Sequence, residues 1–168
     1  MGNIPILLIQ VSMATLAYAL LYAWYVRPRL ARLPLLLAVQ PLLFVQMFRF
    51  TGLTLIAEGQ VDPSLPTDLL AQASSGDLAS ALLALVALLL ARAGSSATVP
   101  LLWVLTAVGL LDFANVGRIA LETNLLEFDL GAMWLALSWY VPAVLIAHVA
   151  IIDQLLASRA SRPIIASE

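Results

Sequence analysis

Two charged residues lie deep inside long apolar segments, where each charge needs a chemical partner. Arg49 is in the middle of the apolar run 35–57, and Asp112 is in the run 97–119. A charged side chain at the centre of a membrane helix costs about 2.5–3.5 kcal/mol on insertion scales, so it has to find a partner inside the protein. Counting along both runs from the same end places the two residues at similar depths. The sequence therefore predicts an Arg49–Asp112 ion pair.

Other polar residues fall in the same calculated layer and predict a polar pocket in the outer half of a helical bundle. They are Gln46, Asn115, Gln10 and Tyr140. The first two lie three residues from Arg49 and Asp112, respectively, which puts each on the helix face of its charged neighbour. In such a pocket Arg49 would contact an anionic or dipolar group of a small ligand, with Asp112 as its counter-ion. The alternative is a structural pair that only fixes the helix register.

Asp77 and His148 are the remaining residues whose chemistry could serve a site. Asp77 follows Gly76 at the start of a short apolar run, where the helix dipole favours an acid at a helix N-terminus. Alternatively, Asp77 lies at the rim of the pocket and binds a cation. His148 is the one histidine of the chain. Counting residues places it near the cytoplasmic side, either as a packing residue or as a group that titrates near neutral pH or contacts a haem.

The composition excludes a soluble globular domain and several classes of chemistry. Of 168 residues, 62% are hydrophobic and 11% charged, which is too little polar surface for a globule and indicates a multi-pass protein of the lipid bilayer. Without cysteine there is no disulfide or iron–sulfur ligation, and without lysine there is no Schiff base. One histidine cannot ligate a haem from both sides; the sequence requires no cofactor or metal, although it is compatible with a haem or a quinone. The scattered arginines do not form a nucleic-acid-binding face.

Apolar length predicts an all-α fold, a single transmembrane domain of five helices over residues 1–168. The predicted spans are about 4–26, 35–57, 78–91, 97–119 and 131–152. The third span is short, about 21 Å at 1.5 Å per residue, and a separate short helix capped by Thr67 is expected before it. Pro142 is expected to distort the fifth helix and to free a carbonyl near Ser138.

The distribution of charge predicts the orientation of the bundle. Arg27, Arg29 and Arg32 occupy the first connection without an acid, whereas the second and fourth connections are mostly acidic. Because cytoplasmic loops carry an excess of arginine and lysine, the N-terminus is expected outside and the C-terminus in the cytoplasm. The localisation that follows is the inner, or cytoplasmic, membrane of a cell.

Several short segments occur in an order that matches a known pattern. They are Phe48-Arg49-Phe50-Thr51-Gly52-Leu53, Gly76-Asp77-Leu78, Gly109-Leu110-Leu111-Asp112, Leu130-Gly131-Ala132, Val141-Pro142 and Ala147-His148-Val149. In these segments, from about residue 24 to residue 152, the chain resembles a group of small bacterial multi-pass membrane proteins with no assigned function. That family often has a histidine at the position of Gln46, so a two-histidine site is not expected here. The resemblance implies a bacterial inner membrane and adds no biochemistry.

Three functions are compatible with these observations. The favoured one is a membrane protein that binds, or helps to transport, a small ligand in the polar pocket. The second is a structural or assembly subunit of a larger membrane complex, or a homodimer, in which the Arg49–Asp112 pair only holds helices together. The third is a redox protein that uses His148 with a haem or a quinone. Enzymatic activity is not favoured, because the sequence has no catalytic triad and no motif of a hydrolase or nucleotide-binding protein.

Overall fold

The computed structural model describes residues 3–160, and within that range the regular secondary structure is entirely helical. Five helical spans are long and apolar enough to cross a membrane. They are α1 (Asn3–Leu30), α2 (Leu35–Ile56), α3 (Thr67–Arg92), α4 (Thr98–Glu122) and α5 (Met133–Arg159). The predicted all-α class with five apolar helices is confirmed, and the orientation of the termini stays a prediction.

Helix α3 is longer than the sequence predicts. The predicted span 78–91 is only its second half, because the helix begins at Thr67 and continues without a break. Asp77 therefore lies well inside the helix, and the role of a helix-capping acid is wrong. A polar residue of the first half of this helix is satisfied by a neighbouring helix: the Ser74 hydroxyl donates to the Gly52 carbonyl on α2 at 3.0 Å.

Helix α2 changes from α-helical to 3₁₀ geometry over Phe48–Ile56. The buried residues of this segment are Arg49, Gly52 and Leu55. They recur every third position, which matches the three residues per turn of a 3₁₀-helix and keeps one face towards the bundle. Because 3₁₀ runs longer than three or four residues are uncommon, this nine-residue segment is held by its contacts rather than by its own hydrogen bonds.

Two π-helical turns mark the positions where prolines interrupt the helices. In α1 the turn covers Tyr22–Val26 and precedes Pro28; in α5 it covers Ala136–Tyr140 and precedes Pro142. A proline has no backbone N–H, and the wider turn accommodates the carbonyl that loses its donor. The distortion expected near Ser138 is thus confirmed, and it takes the form of a π turn.

The two ends of the bundle differ in charge. One end, here called the acidic end, is formed by the segments 57–66 and 123–132, and the Asp62 N–H joins them by donating to the Asp129 carbonyl at 2.9 Å. Hydrogen bonds from the Ser64 hydroxyl and backbone N–H lower the pKa of Asp62. The opposite, arginine end contains the segments 31–34 and 93–97, and there Arg27 of α1 pairs with Asp153 of α5 at 2.8 Å.

Two apolar clusters fill the bundle, one towards each end. Towards the arginine end, buried Val39, Leu43, Leu102, Leu105, Ile151 and Leu155 pack together. Towards the acidic end, the buried cluster contains Leu55, Leu65, Leu70, Ile119, Leu125 and Met133. The polar side chains that carry the candidate site occupy the layer between these clusters. Helix α1 lies at the edge, packed mainly on α5.

The topology is testable by labelling because the chain has no native cysteine. We expect Glu58→Cys at the acidic end to react with a membrane-impermeant maleimide in intact cells. Ser96→Cys, at the arginine end, should react only after the cells are permeabilised. Labelling of both variants from the same side would contradict the five-span arrangement, whereas the reverse pattern would contradict only the predicted orientation.

Candidate functional site

A buried arginine and two carboxylates form a charged cluster at the centre of the bundle, defined here as Arg49, Asp77 and Asp112. Only 1% of the Arg49 side chain is exposed. Its Nε donates to Asp77 Oδ1 at 2.9 Å, its Nη2 donates to Asp112 Oδ2, and its Nη1 donates to the Gly109 carbonyl at 3.4 Å. The predicted pair with Asp112 is present. Asp77, which the sequence placed at a helix end, is a second direct partner.

One aromatic ring, that of Phe113, covers a face of the arginine. The Cζ atom of Arg49 lies 4.4 Å from the centroid of the Phe113 ring, within the range of a cation–π contact. The His148 ring stands edge-on to Phe113, with 6.2 Å between centroids and an angle of 87°. The guanidinium therefore has an acceptor at each nitrogen and a ring on its face, as a buried charge requires.

Glycines on three different helices give the cluster its space. A Cβ built on Gly52 would overlap the Asp77 carboxylate, and one built on Gly76 would overlap the Asp112 carboxylate. A Cβ on Gly109 would lie 2.5 Å from His148 Nε2 and 2.8 Å from Arg49 Nη1. Any larger residue at these positions would push a charged or polar group out of place, so the glycines serve close packing rather than backbone flexibility.

The charges of the cluster do not balance. One guanidinium faces two carboxylates, which leaves a formal charge of about −1 when both acids are ionised. The side chain of Asp112 is 6% exposed, but that of Asp77 is 21% exposed. An uncompensated charge in such surroundings is costly, so a proton or a cationic group would stabilise the cluster.

A cavity of about 360 Å³ opens beside the cluster, and its wall is formed mainly by α1, α2, α4, α5 and the segment 123–132. Arg49, Asp77 and Asp112 form part of its wall, together with Tyr140 and Phe113. Most other wall residues are apolar, among them Leu7, Val11, Leu55, Val116, Leu126, Leu130, Met133, Leu137, Val144 and Leu145. A charged wall region with long apolar sides is suited to a molecule that has one polar end and one apolar part.

Tyr140 is part of the cavity wall, as the predicted pocket required, but its hydroxyl already has a hydrogen-bond partner within the protein. It donates to the Val45 carbonyl of α2 at 2.7 Å. Gln46 is fully buried and donates through Nε2 to the Val144 carbonyl of α5 at 3.2 Å. It does not line the cavity. Both residues therefore join α2 to α5 around the cluster, and only Tyr140 contacts the cavity.

Asn115 and Gln10 do not belong to the pocket, contrary to the prediction. Asn115 turns away from Asp112 and accepts a hydrogen bond from the exposed Arg118 at 2.9 Å. Gln10 is exposed at the edge of the bundle, where it accepts from Trp134 Nε1 at 2.8 Å. A residue at the calculated depth can point into the pocket or away from it, because depth alone does not say which face of a helix points inwards.

His148 lies beside the cluster rather than far below it, so its predicted depth is wrong. The 3₁₀ segment of α2 advances about 2.0 Å per residue instead of 1.5 Å, which places Arg49 deeper than the count of α-helical residues gave. The π turn of α5 has the opposite effect and keeps His148 closer to the acidic end. Because His148 is buried and does not line the cavity, the geometry does not support it as a haem ligand there.

Sequence reasoning missed the contribution of glycine and of Phe113. A usable signal was present: Gly52 follows Arg49 by three residues, Gly109 precedes Asp112 by three, and Gly76 is next to Asp77. A glycine one helical turn from an intramembrane charge indicates close approach of a second helix.

Among the residues that the structure describes, no group of three or more histidine, cysteine, aspartate or glutamate side chains could hold a metal ion.

A comparison with protein-family models assigns the chain at the level of family. The model described as Domain of unknown function (DUF8737) matches residues 6–156. The chain belongs to this family. The match includes the whole charged cluster and every residue of the cavity wall, so the resemblance to an uncharacterised family is confirmed at that level. Comparisons with curated proteins and with solved structures gave no match.

Removal of the arginine should cost more stability than removal of either acid. Arg49→Met leaves two buried carboxylates without a cation, and we expect a loss of about 3–5 kcal/mol in unfolding free energy. Asp77→Asn leaves a neutral Arg49–Asp112 pair and should cost less. Thermal unfolding in detergent, followed by tryptophan fluorescence, measures which variant loses more stability.

Arg118→Met is the control, because its pair with Glu122 is exposed and contributes about 0–1 kcal/mol. Equal losses for Arg49→Met and Arg118→Met would contradict the buried network.

Two glycines of the same helix should respond oppositely to alanine. Gly109→Ala places a methyl group against His148 and Arg49 and should destabilise the protein by about 1–3 kcal/mol. A Cβ at Gly117 meets no atom within 4 Å, so Gly117→Ala should stabilise α4 by up to about 1 kcal/mol. Unfolding in the same detergent compares the two. A loss at Gly117 as large as that at Gly109 would show that helix packing near the cluster is not as described.

Proposed function

We propose that this protein binds a small amphipathic molecule within the bilayer, with a cationic or proton-donating end at the charged cluster and its apolar part in the cavity. The observation that carries the proposal is the charge imbalance in the cavity wall, where two carboxylates face one guanidinium. A ligand with an ammonium group would supply the missing positive charge. The apolar wall would favour a hydrocarbon or aromatic body.

The hydrogen bonds of the cluster favour a cation over an anion. Each nitrogen of Arg49 already has an acceptor within the protein, and the residue is almost fully buried. The partly exposed Asp77 carboxylate, by contrast, can accept a further hydrogen bond from the cavity side. This reverses the expectation that Arg49 contacts an anionic ligand, and it makes Asp77 the principal contact instead of a residue at the rim.

The setting that we propose is the inner membrane of a bacterium, with the acidic end outside. The excess of arginine at the opposite end supports this orientation. Wall residues Leu125, Leu126 and Leu130 come from the segment 123–132, so the cavity lies in the half of the bundle nearer the acidic end. Its walls are mostly hydrocarbon, which suits a ligand that partitions into lipid before it binds. Such a protein could retain the molecule or pass it to a transport partner.

Three probes of equal length and different head charge test the proposal. Octylammonium, octanoate and octanol are titrated calorimetrically into the protein in nanodiscs, with empty nanodiscs as the reference. We expect octylammonium to bind most tightly and Asp77→Asn to weaken it by about tenfold or more, because a buried charge contact is lost. Equal affinity for the three probes, or tighter binding of octanoate, would contradict the proposal.

A pair of matched substitutions locates the binding site. Gly117→Leu adds a side chain to the cavity wall, whereas Ala114→Leu enlarges a residue of the same helix that does not line the cavity; both positions are exposed. We expect only Gly117→Leu to weaken octylammonium binding. An equal effect of both variants would place the binding of the probe on the lipid-facing surface instead. Native mass spectrometry of the purified protein then identifies any molecule that it retains from the cell.

A further inference from the structure

A layer of buried polar side chains lies next to the charged cluster, on its arginine-end side. The layer, here called the polar layer, consists of Gln46, Ser80, Thr106 and His148, one from each of α2 to α5. All four are buried, and none lines the cavity. Each keeps a polar atom without a hydrogen-bond partner among the described residues, namely Gln46 Oε1, Ser80 Oγ, Thr106 Oγ1 and both ring nitrogens of His148.

The positions of three of these residues in their helices place them at one level, one turn from the cluster. Gln46 precedes Arg49 by three residues, Ser80 follows Asp77 by three, and Thr106 precedes Gly109 by three. Because neighbouring helices in this series run in opposite directions, all three steps lead towards the arginine end. His148 connects this level to the cluster, since its Nε2 and Arg49 Nη1 both lie within 3 Å of a Cβ built on Gly109.

The free hydroxyls are unusual for helices in a membrane. Serine and threonine side chains in helices commonly bond to a carbonyl of the preceding turn. Ser75, Thr123 and Ser158 do so here, at 2.8 Å in each case. Ser80 and Thr106 do not, although they are more deeply buried than these three. Four such groups on four helices have no partner among the described residues, and a buried polar group without a partner costs free energy.

We propose that the polar layer binds a small cluster of water molecules and that these carry protons between the charged cluster and His148. Water is suited to the site because it can donate to Gln46 Oε1 and exchange hydrogen bonds with both hydroxyls and the imidazole. Chains of carboxylate, water and histidine are a recognised way of moving protons inside a membrane. The proposal stands apart from the ligand in the cavity, since the polar layer does not line that cavity.

The proton transfer balances in charge. A proton leaves a carboxyl group of Asp112 or Asp77, passes along the water molecules and binds a ring nitrogen of neutral His148. The products are a carboxylate and an imidazolium, so the total charge of the cluster and His148 is unchanged. The charged group beside His148 is Arg49 from α2, which in turn binds Asp77 of α3 and Asp112 of α4; on its own helix the nearest acid is Asp153, which is paired with Arg27. Arg49 disfavours a lasting imidazolium, which suits His148 to transient protonation.

The single histidine makes the proposal directly measurable. Protein labelled with ¹⁵N-histidine and purified without a histidine tag gives imidazole signals from His148 alone. Solid-state NMR in lipid bilayers then measures exchange of the imidazole proton with water. We expect the imidazole of His148 to be hydrogen-bonded to water and its N–H proton to give an exchange peak with water. An imidazole that shows neither exchange nor hydrogen bonding to water would overturn the proposal.

Substitutions test whether protons reach His148 through the polar layer and the cluster. Thr106→Val, which keeps the shape of the side chain, should slow the exchange about tenfold, the effect of one hydrogen bond. Ser80→Ala should also slow it and serves if Thr106→Val does not fold. Ser75→Ala, whose hydroxyl bonds only within α3, is the matched control and should leave exchange unchanged. Asp112→Asn should slow exchange as well. If Thr106→Val, Ser80→Ala and Asp112→Asn all exchange as fast as Ser75→Ala, protons reach His148 by another path and the proposal is wrong.

Discussion

The structure depends on the burial of one guanidinium group. Arg49 carries a full charge between two apolar clusters, and its five N–H groups demand acceptors that the surrounding hydrocarbon cannot provide. Helices α3 and α4 each provide a carboxylate, α4 adds the Gly109 carbonyl, and Phe113 covers the open face. Glycines on α2, α3 and α4 bring these helices close enough for the contacts to form. The arrangement of these three helices thus follows from the needs of one side chain.

Departures from regular α-helical geometry coincide with the site. The 3₁₀ segment of α2 begins beside Arg49 and aligns Gly52 and Leu55 with it on one face. The π turn of α5 ends at Tyr140, whose hydroxyl reaches the backbone of α2. A regular α-helix would rotate these residues away from one another within two turns. The irregular turns are therefore part of how the cavity wall is built, and Pro142 accounts for one of them.

The coarse fold could be predicted from the sequence, and the finer placement of residues could not. Hydropathy identified five apolar helices because apolar length is almost sufficient for that purpose. Depth along the runs identified the Arg49–Asp112 contact. The start of α3 was not predictable in this way, since residues such as Ser74 are polar in sequence and buried in the fold. Asn115 and Gln10 show the further limit, because a residue at the correct depth can lie on the wrong face. The position of His148 depended on local helix rise, which periodicity does not reveal.

The partners of Arg49 lie later in the chain, and this has a consequence for biogenesis. Asp77 follows it by 28 residues and Asp112 by 63. At a synthesis rate of about 5–20 residues per second, Arg49 is synthesised several seconds before the carboxylate of α4. Within that interval Asp77 of α3 is the first counter-ion to be synthesised, and Asp112 completes the cluster later. In the membrane setting proposed above, the charge of α2 would thus be neutralised stepwise, first by α3 and then by α4, with α5 closing the cavity afterwards.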